Sequence, residues 1–247
     1  MRIRIIVAAL SVAVVVAACS PSDDEVLLVS AASSLTDVFA SLAEAFEADN
    51  PTIDVVLNVA GSSSLREQIL GGAPVDVLAS ASASTMIELV EAGLVVEPLT
   101  EFAITQMQIA TPIGNPAGVT GLDDFADDAL LVGLCAQGVP CGDRAREVLA
   151  SAGVTPSVDT NEPNVRSLVT KIEEGELDAG ITYVTDVVAA DGRVEGVSIP
   201  DVHNVDASYP IAVVTDAPNP SDAEAFVRFV LSDAGRGILS SFGFSSP

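Results

Sequence analysis

Glu25-Val26-Leu27-Leu28-Val29, followed by Leu35, Val38, Phe39, Leu42 and Phe46, is the stretch that decides the fold. Five residues with a continuous apolar run predict a buried strand, and apolar positions recurring at helical spacing predict a helix directly after it. The unit then repeats. Ile53-Asp54-Val55-Val56-Leu57-Asn58-Val59 is β-branched and predicts a strand, and Leu65, Ile69 and Leu70 predict a short helix. Val75-Asp76-Val77-Leu78 predicts a third strand, and Met86, Ile87, Val90 and Leu94 predict another helix. Strands alternating with helices imply an α/β protein whose parallel sheet is covered on both faces.

The second half continues the pattern. Strands are expected at Phe102 to Ala110, Ala129 to Val132, Ala179 to Tyr183, Val197 to Ile199 and Ser208 to Val214. Helices are expected at Arg144 to Ala152, along Val165, Leu168, Val169 and Ile172, and at Asp222 to Leu231 and Ala234 to Phe242. No repeat of solenoid length is present.

Upstream, Arg2 and Arg4 precede an almost unbroken apolar run from Ile5 to Val16, which closes on Val16-Ala17-Ala18-Cys19. The run is too short to cross a bilayer and has the layout of a secretory signal peptide. A cysteine after small residues resembles a lipobox. Residues 1–18 are therefore expected to be a signal peptide, with Cys19 lipidated and 19–25 a polar tether. The resulting location is the outer face of the cytoplasmic membrane.

The chain has 247 residues, 49% of them hydrophobic, and a formal net charge of −25 with only 10 Lys plus Arg. So few cations exclude nucleic acid and an anionic lipid surface as partners, since both need basic patches. With Cys19 lipidated, Cys135 and Cys141 remain, flanking Ala-Gln-Gly-Val-Pro. They are either bridged or two buried thiols, and an oxidising compartment favours the bridge. A metal site is not expected, because His203 is the sole histidine and no CxxC occurs.

The chemistry concentrates at helix starts. Ser34-Leu35-Thr36-Asp37, Ser64-Leu65-Arg66-Glu67 and Thr85-Met86-Ile87-Glu88 have capping-box form, and Asn164 precedes the helix beginning at Val165. Capping alone accounts for Thr85. For Ser33-Ser34 and Ser62-Ser63 a second role is expected, because a helix N-terminus offers free N–H groups and partial positive charge, and a hydroxyl adds a donor. Two such ends beside the carboxyl ends of strands form a crevice suited to an oxyanion. Catalysis has little support. No G-x-S-x-G elbow surrounds Ser62 or Ser63, and no P-loop or dinucleotide fingerprint is present.

Five segments, in order, resemble the periplasmic molybdate-binding proteins of ABC transporters, the ModA family. They are Ala31-Ala32-Ser33-Ser34-Leu35-Thr36, Ala60-Gly61-Ser62-Ser63-Ser64-Leu65, Gly72-Ala73-Pro74-Val75-Asp76-Val77, Val139-Pro140-Cys141-Gly142 and Ala179-Gly180-Ile181-Thr182-Tyr183. The likeness implies a type II periplasmic binding protein fold: two α/β lobes, a ligand cleft and two crossover strands. The lobes are expected over 26–104 with 212–247, and over 105–211. It also implies Ser34, Ser62 and Tyr183 as hydroxyl donors and Cys141 and Val165 as backbone N–H donors, with Ser33 and Ser63 as further candidates. Cys141 departs from the family, some members of which carry alanine there, but use of the N–H alone tolerates the change. The implied function is capture of molybdate, and of tungstate, for an ABC permease by a monomeric, non-enzymatic protein without a cofactor. The alternatives are a binding protein for sulfate or another oxyanion, and a cell-envelope serine hydrolase.

Overall fold

The computed structural model describes residues 25–247. The expected signal peptide, Cys19 and all of the tether but Glu25 lie outside the described residues. The strands are β1 Glu25–Ala32, β2 Ile53–Ala60, β3 Val77–Ala79, β4 Thr100–Pro112, β5 Val132–Cys135, β6 Thr160–Glu162, β7 Ala179–Tyr183, β8 Val194–Val197 and β9 Asp206–Val213. The helices are α1 Thr36–Asp49, α2 Ser62–Leu70, α3 Ala83–Glu91, α4 Pro140–Ser151, α5 Val165–Glu173, α6 Val184–Ala189, α7 Pro220–Val230 and α8 Asp233–Ser241.

The strands run in the order β2-β1-β3-β9-β4-β7-β5-β6, with β8 also on β4. β1 pairs in parallel with β2 and β3, and β5 in parallel with β6 and β7. Every pairing of β4 and β9 is antiparallel, so these two crossover strands stand apart from the parallel pairing expected from the strand–helix alternation. The reason lies in the connection: β4 and β9 carry the chain out of one lobe and back again, so they run against each other. β4 is long enough to serve both lobes. Thr100 to Gln106 bond to β9, and Met107 onward bonds to β7 and β8.

Local departures from the sequence reading have physical causes. The strand expected at 129–132 lies at Val132–Cys135, because Asp127 draws the preceding residues into a turn by accepting from the Ala129 N–H. The strand expected at Val75 begins at Val77 because Asp76 is used otherwise. Fully buried, its carboxylate accepts from the Leu28 and Asn219 N–H groups and so ties β1 to the segment leading into α7. The strand expected at Val197 to Ile199 lies earlier, at Val194–Val197, where β4 supplies its ladder. Short β6 and α6 carry too few periodic residues to be read from sequence.

An aromatic chain links the two lobes. Phe46 packs on Phe226, Phe226 on Phe39, Phe39 on Phe102, Phe102 on Tyr209, and Tyr209 on Tyr183, with centroids 5.2–6.3 Å apart. Cys135 and Cys141 are joined by a disulfide between the end of β5 and the start of α4, with Cα atoms 5.7 Å apart. Closing so short a loop stabilises by about 2–3 kcal/mol in the chain-entropy picture.

The start of α4 is pressed onto β5 so closely that a Cβ at Gly142 would lie 2.2 Å from the Ala136 carbonyl oxygen and 2.4 Å from that of Cys135. Both obstacles are backbone, so neither can rotate away. Gly142→Ala is expected to destabilise the fold by about 1–3 kcal/mol or more, measured by urea unfolding, whereas Gly237→Ala, in open space on α8, leaves the midpoint unchanged or raises it.

Candidate oxyanion site

Each residue singled out from the sequence sits where a strand hands over to a helix. β1 ends at Ala32 and leads through a 3-10 turn at Ser33–Leu35 into α1. β2 ends at Ala60, and α2 starts at Ser62. β5 precedes α4, whose second residue is Cys141, β6 precedes α5, which starts at Val165, and β7 ends on Tyr183. Strands within a lobe that run the same way deliver all these junctions to one side of the sheet, the place where open α/β sheets bind ligands.

The junctions converge on one small cavity. Its lining includes Ser33, Ser34, Ser62, Cys141, Val165 and Tyr183, together with Gly61, Ala81 and Pro140. No lining residue carries a charge. Ser63 is placed differently. Its hydroxyl donates to the Gly138 carbonyl, 2.6 Å away, and it does not line the cavity.

Hydrogen bonding fixes what the cavity offers. The Ser62 Oγ accepts from the Ala81 N–H at 3.1 Å, so its own proton remains for another acceptor. The Ser34 Oγ accepts from the Tyr209 hydroxyl at 3.1 Å. The Tyr183 hydroxyl is buried without a partner. An unmet buried donor costs about 1–3 kcal/mol, which makes it conspicuous in a folded protein. Burial pushes this phenol well above its ordinary range, so it stays a donor. The first N–H groups of α2, α4 and α5 have no carbonyl one turn back, and Pro140 at the head of α4 presets that turn. Asn164 caps α5, accepting from the Ser167 N–H at 2.9 Å, and leaves the Val165 N–H free.

The serine-led capping boxes are a correction. Neither α1 nor α2 has a side-chain cap bond: Leu35 and Gly61 occupy the cap positions. The start of α3 is capped in position by Ser82, not Thr85. Ser62 falls one residue inside its helix, which turns its hydroxyl toward the cavity and the Ala81 N–H.

Contacts across the cleft were not legible in the sequence. A Cβ at Gly61 would lie 2.9 Å from the Pro163 carbonyl oxygen. Arg166, next to Val165, forms an ion pair with Asp37 of α1. The glycine ahead of Ser62 was the available signal for the first, and nothing in the sequence marked the second. His203 lies elsewhere, with Nδ1 3.3 Å from the Ser151 Oγ, so no imidazole serves the cavity serines.

The profile of the bacterial extracellular solute-binding protein family matches residues 27–245. A Mycobacterium tuberculosis protein named Molybdate-binding protein ModA is 35% identical over 221 residues, 90% of this chain and 85% of the relative. The chain belongs to the bacterial extracellular solute-binding proteins, and within them to the ModA family. Two solved structures share the fold of this solute-binding protein. The Azotobacter vinelandii periplasmic molybdate-binding protein matches with a TM-score of 0.78 at 18% identity, covering 90% of this chain and 99% of the other. The sulfate-binding protein SubI of M. tuberculosis matches with 0.79 at 17%, covering 90% and 87%. The family is one of binding proteins that work outside the cytoplasm. Among the described residues no helix is long and apolar enough to cross a membrane.

Beneath the cavity, Asp186 is buried, and its Oδ2 accepts from the Tyr183 N–H at 3.0 Å. Burial pushes its carboxyl up to about 7, against the partial relief given by that hydrogen bond and by Arg166. A folded-state value above the unfolded 3.8 means a contribution fully present below about pH 4 and lost as pH rises through about 7. Asp186→Asn is therefore expected to lose less stability than the wild type as pH rises over that window, measured as melting temperature at constant ionic strength.

Proposed function

We propose that this solute-binding protein captures molybdate, and tungstate, outside the cytoplasmic membrane and delivers it to the permease of an ABC importer. One observation carries the reading: the unpartnered Tyr183 hydroxyl opens on an uncharged cavity that also receives the Ser34 and Ser62 hydroxyls and the N-termini of α2, α4 and α5. A set made only of neutral donors suits a fully deprotonated tetrahedral dianion with four acceptor oxygens. Ser34, Ser62 and Tyr183 donate from side chains, and Cys141 and Val165 from backbone N–H groups. Ser33 is close enough to assist. Ser63 acts in lobe closure instead, through Gly138.

Discrimination follows from the same donors. Hydrogen phosphate brings a proton to a site that has only protons to offer, and a smaller anion such as sulfate leaves donors unmet at about 1–3 kcal/mol each. Likeness to a sulfate-binding fold keeps a general oxyanion protein as the second reading. The lobes are taken as 26–104 with 212–247, and 105–211. The protein acts as a monomer held to the membrane through a lipid on Cys19.

Melting curves test the ligand. Molybdate or tungstate at about a thousand times its dissociation constant should stabilise the fold by about 4 kcal/mol, with sulfate giving far less at equal ionic strength. Ser62→Ala and Tyr183→Phe should each shrink the shift while the apo protein stays folded. Gly61→Ala should shrink it as well, because the added methyl meets the Pro163 carbonyl as the lobes close. Equal shifts from sulfate and molybdate would promote the second reading. The anchor is tested separately: in a host that processes lipoproteins the wild type should fractionate with membranes and Cys19→Ala should not.

A further inference from the structure

Tyr209 is one of only two tyrosines in the chain. It lies on β9, wholly buried, and does not line the cavity. Its ring meets Tyr183 edge-on at 5.9 Å and is held by Phe102 and Phe244 at 6.3 and 5.3 Å. Its hydroxyl donates to the Ser34 Oγ at 3.1 Å. A serine hydroxyl has one proton and two lone pairs. Once a lone pair of Ser34 is engaged from behind by a phenol, its proton must seek an acceptor elsewhere, and the cavity is the open direction.

We propose that Tyr209 is a positioning residue for the anion site, orienting the Ser34 hydroxyl as a donor to the ligand and taking up one of its two lone pairs. Ser62 is fixed in the same sense by the Ala81 N–H. The difference is that Tyr209 belongs to a crossover strand, so the donor in one lobe is set by the element that joins both. The second consequence is specificity. A serine free to rotate can offer either lone pair to a protonated anion, whereas one already accepting from Tyr209 is a poorer acceptor for it.

The inference rests on the molybdate reading. Calorimetric titration of the full secreted chain with molybdate and with inorganic phosphate tests it. Tyr209→Phe keeps the ring and should weaken molybdate binding about five- to tenfold, the size of one hydrogen bond. Phosphate binding should hold or improve, so the molybdate-to-phosphate ratio falls. In a Ser34→Ala background the Tyr209→Phe change should have no effect on that ratio. Equal weakening for both anions, or the same loss with Ser34 absent, would overturn the proposal. Site-specific 3-fluorotyrosine at position 209 keeps the ring and the donor and should retain both affinities even if Tyr209→Phe does not fold. A loss of the molybdate preference with fluorotyrosine would likewise overturn it. A wild-type chain that ignores molybdate but binds another anion overturns the functional reading itself, and this inference with it.

Discussion

Backbone N–H groups at the start of a helix have no partner inside that helix, and the rest of the structure depends on gathering several of them in one place. Parallel strands make the gathering possible. Because β1, β2 and β3 run one way in one lobe and β5, β6 and β7 run together in the other, their helices all begin on the sheet edge that faces the cleft. The result is a cluster of helix starts, each with partial positive charge, without a single charged lining residue. That matters in a chain of net charge −25, where a lysine at the site would find carboxylates competing for it.

Neutral donors have a further advantage over cations. A lysine or arginine binds almost any anion, whereas a hydroxyl or N–H fixed in space binds only an anion whose oxygen reaches it. The packing beneath the cavity keeps these groups fixed. The disulfide and the tight seat of Gly142 hold the start of α4. Asn164 holds that of α5, and the Tyr183 backbone is tied to Asp186.

Much of this was legible in the sequence, for identifiable reasons. β1 and α1 announce themselves by period, and Tyr183 ends a run, Ala179 to Tyr183, that is buried throughout. The order of motifs around Ser34, Ser62, Cys141, Val165 and Tyr183 was enough to bring together residues up to 149 positions apart, and all five line one cavity. What could not be read depends on which side chain meets which across the fold. Serines assumed to cap their helices do not, because the caps fall at Leu35 and Gly61, one and three residues from Ser34 and Ser64, as backbone angles that composition does not encode dictate. Asp76 looked like part of a strand, yet its carboxylate is spent on N–H groups 48 and 143 residues away. The antiparallel sense of β4 and β9 is a property of the whole path of the chain, invisible in any local window.

The lobes share strands where many two-part proteins have a linker. β4 passes from one ladder to the next between Gln106 and Met107 without leaving the sheet, and β9 runs beside it. A loose tether would let the halves tumble through many orientations, and each capture would carry the entropy of choosing one. Two adjacent strands permit chiefly a twist about their common direction, so the halves move like a book with a stiff spine. Closing then samples a nearly one-dimensional path. The same spine has a mechanical consequence: anything that held the two covers apart would separate Ser34 and Ser62 from Cys141, Val165 and Tyr183 without reaching into the cavity they line.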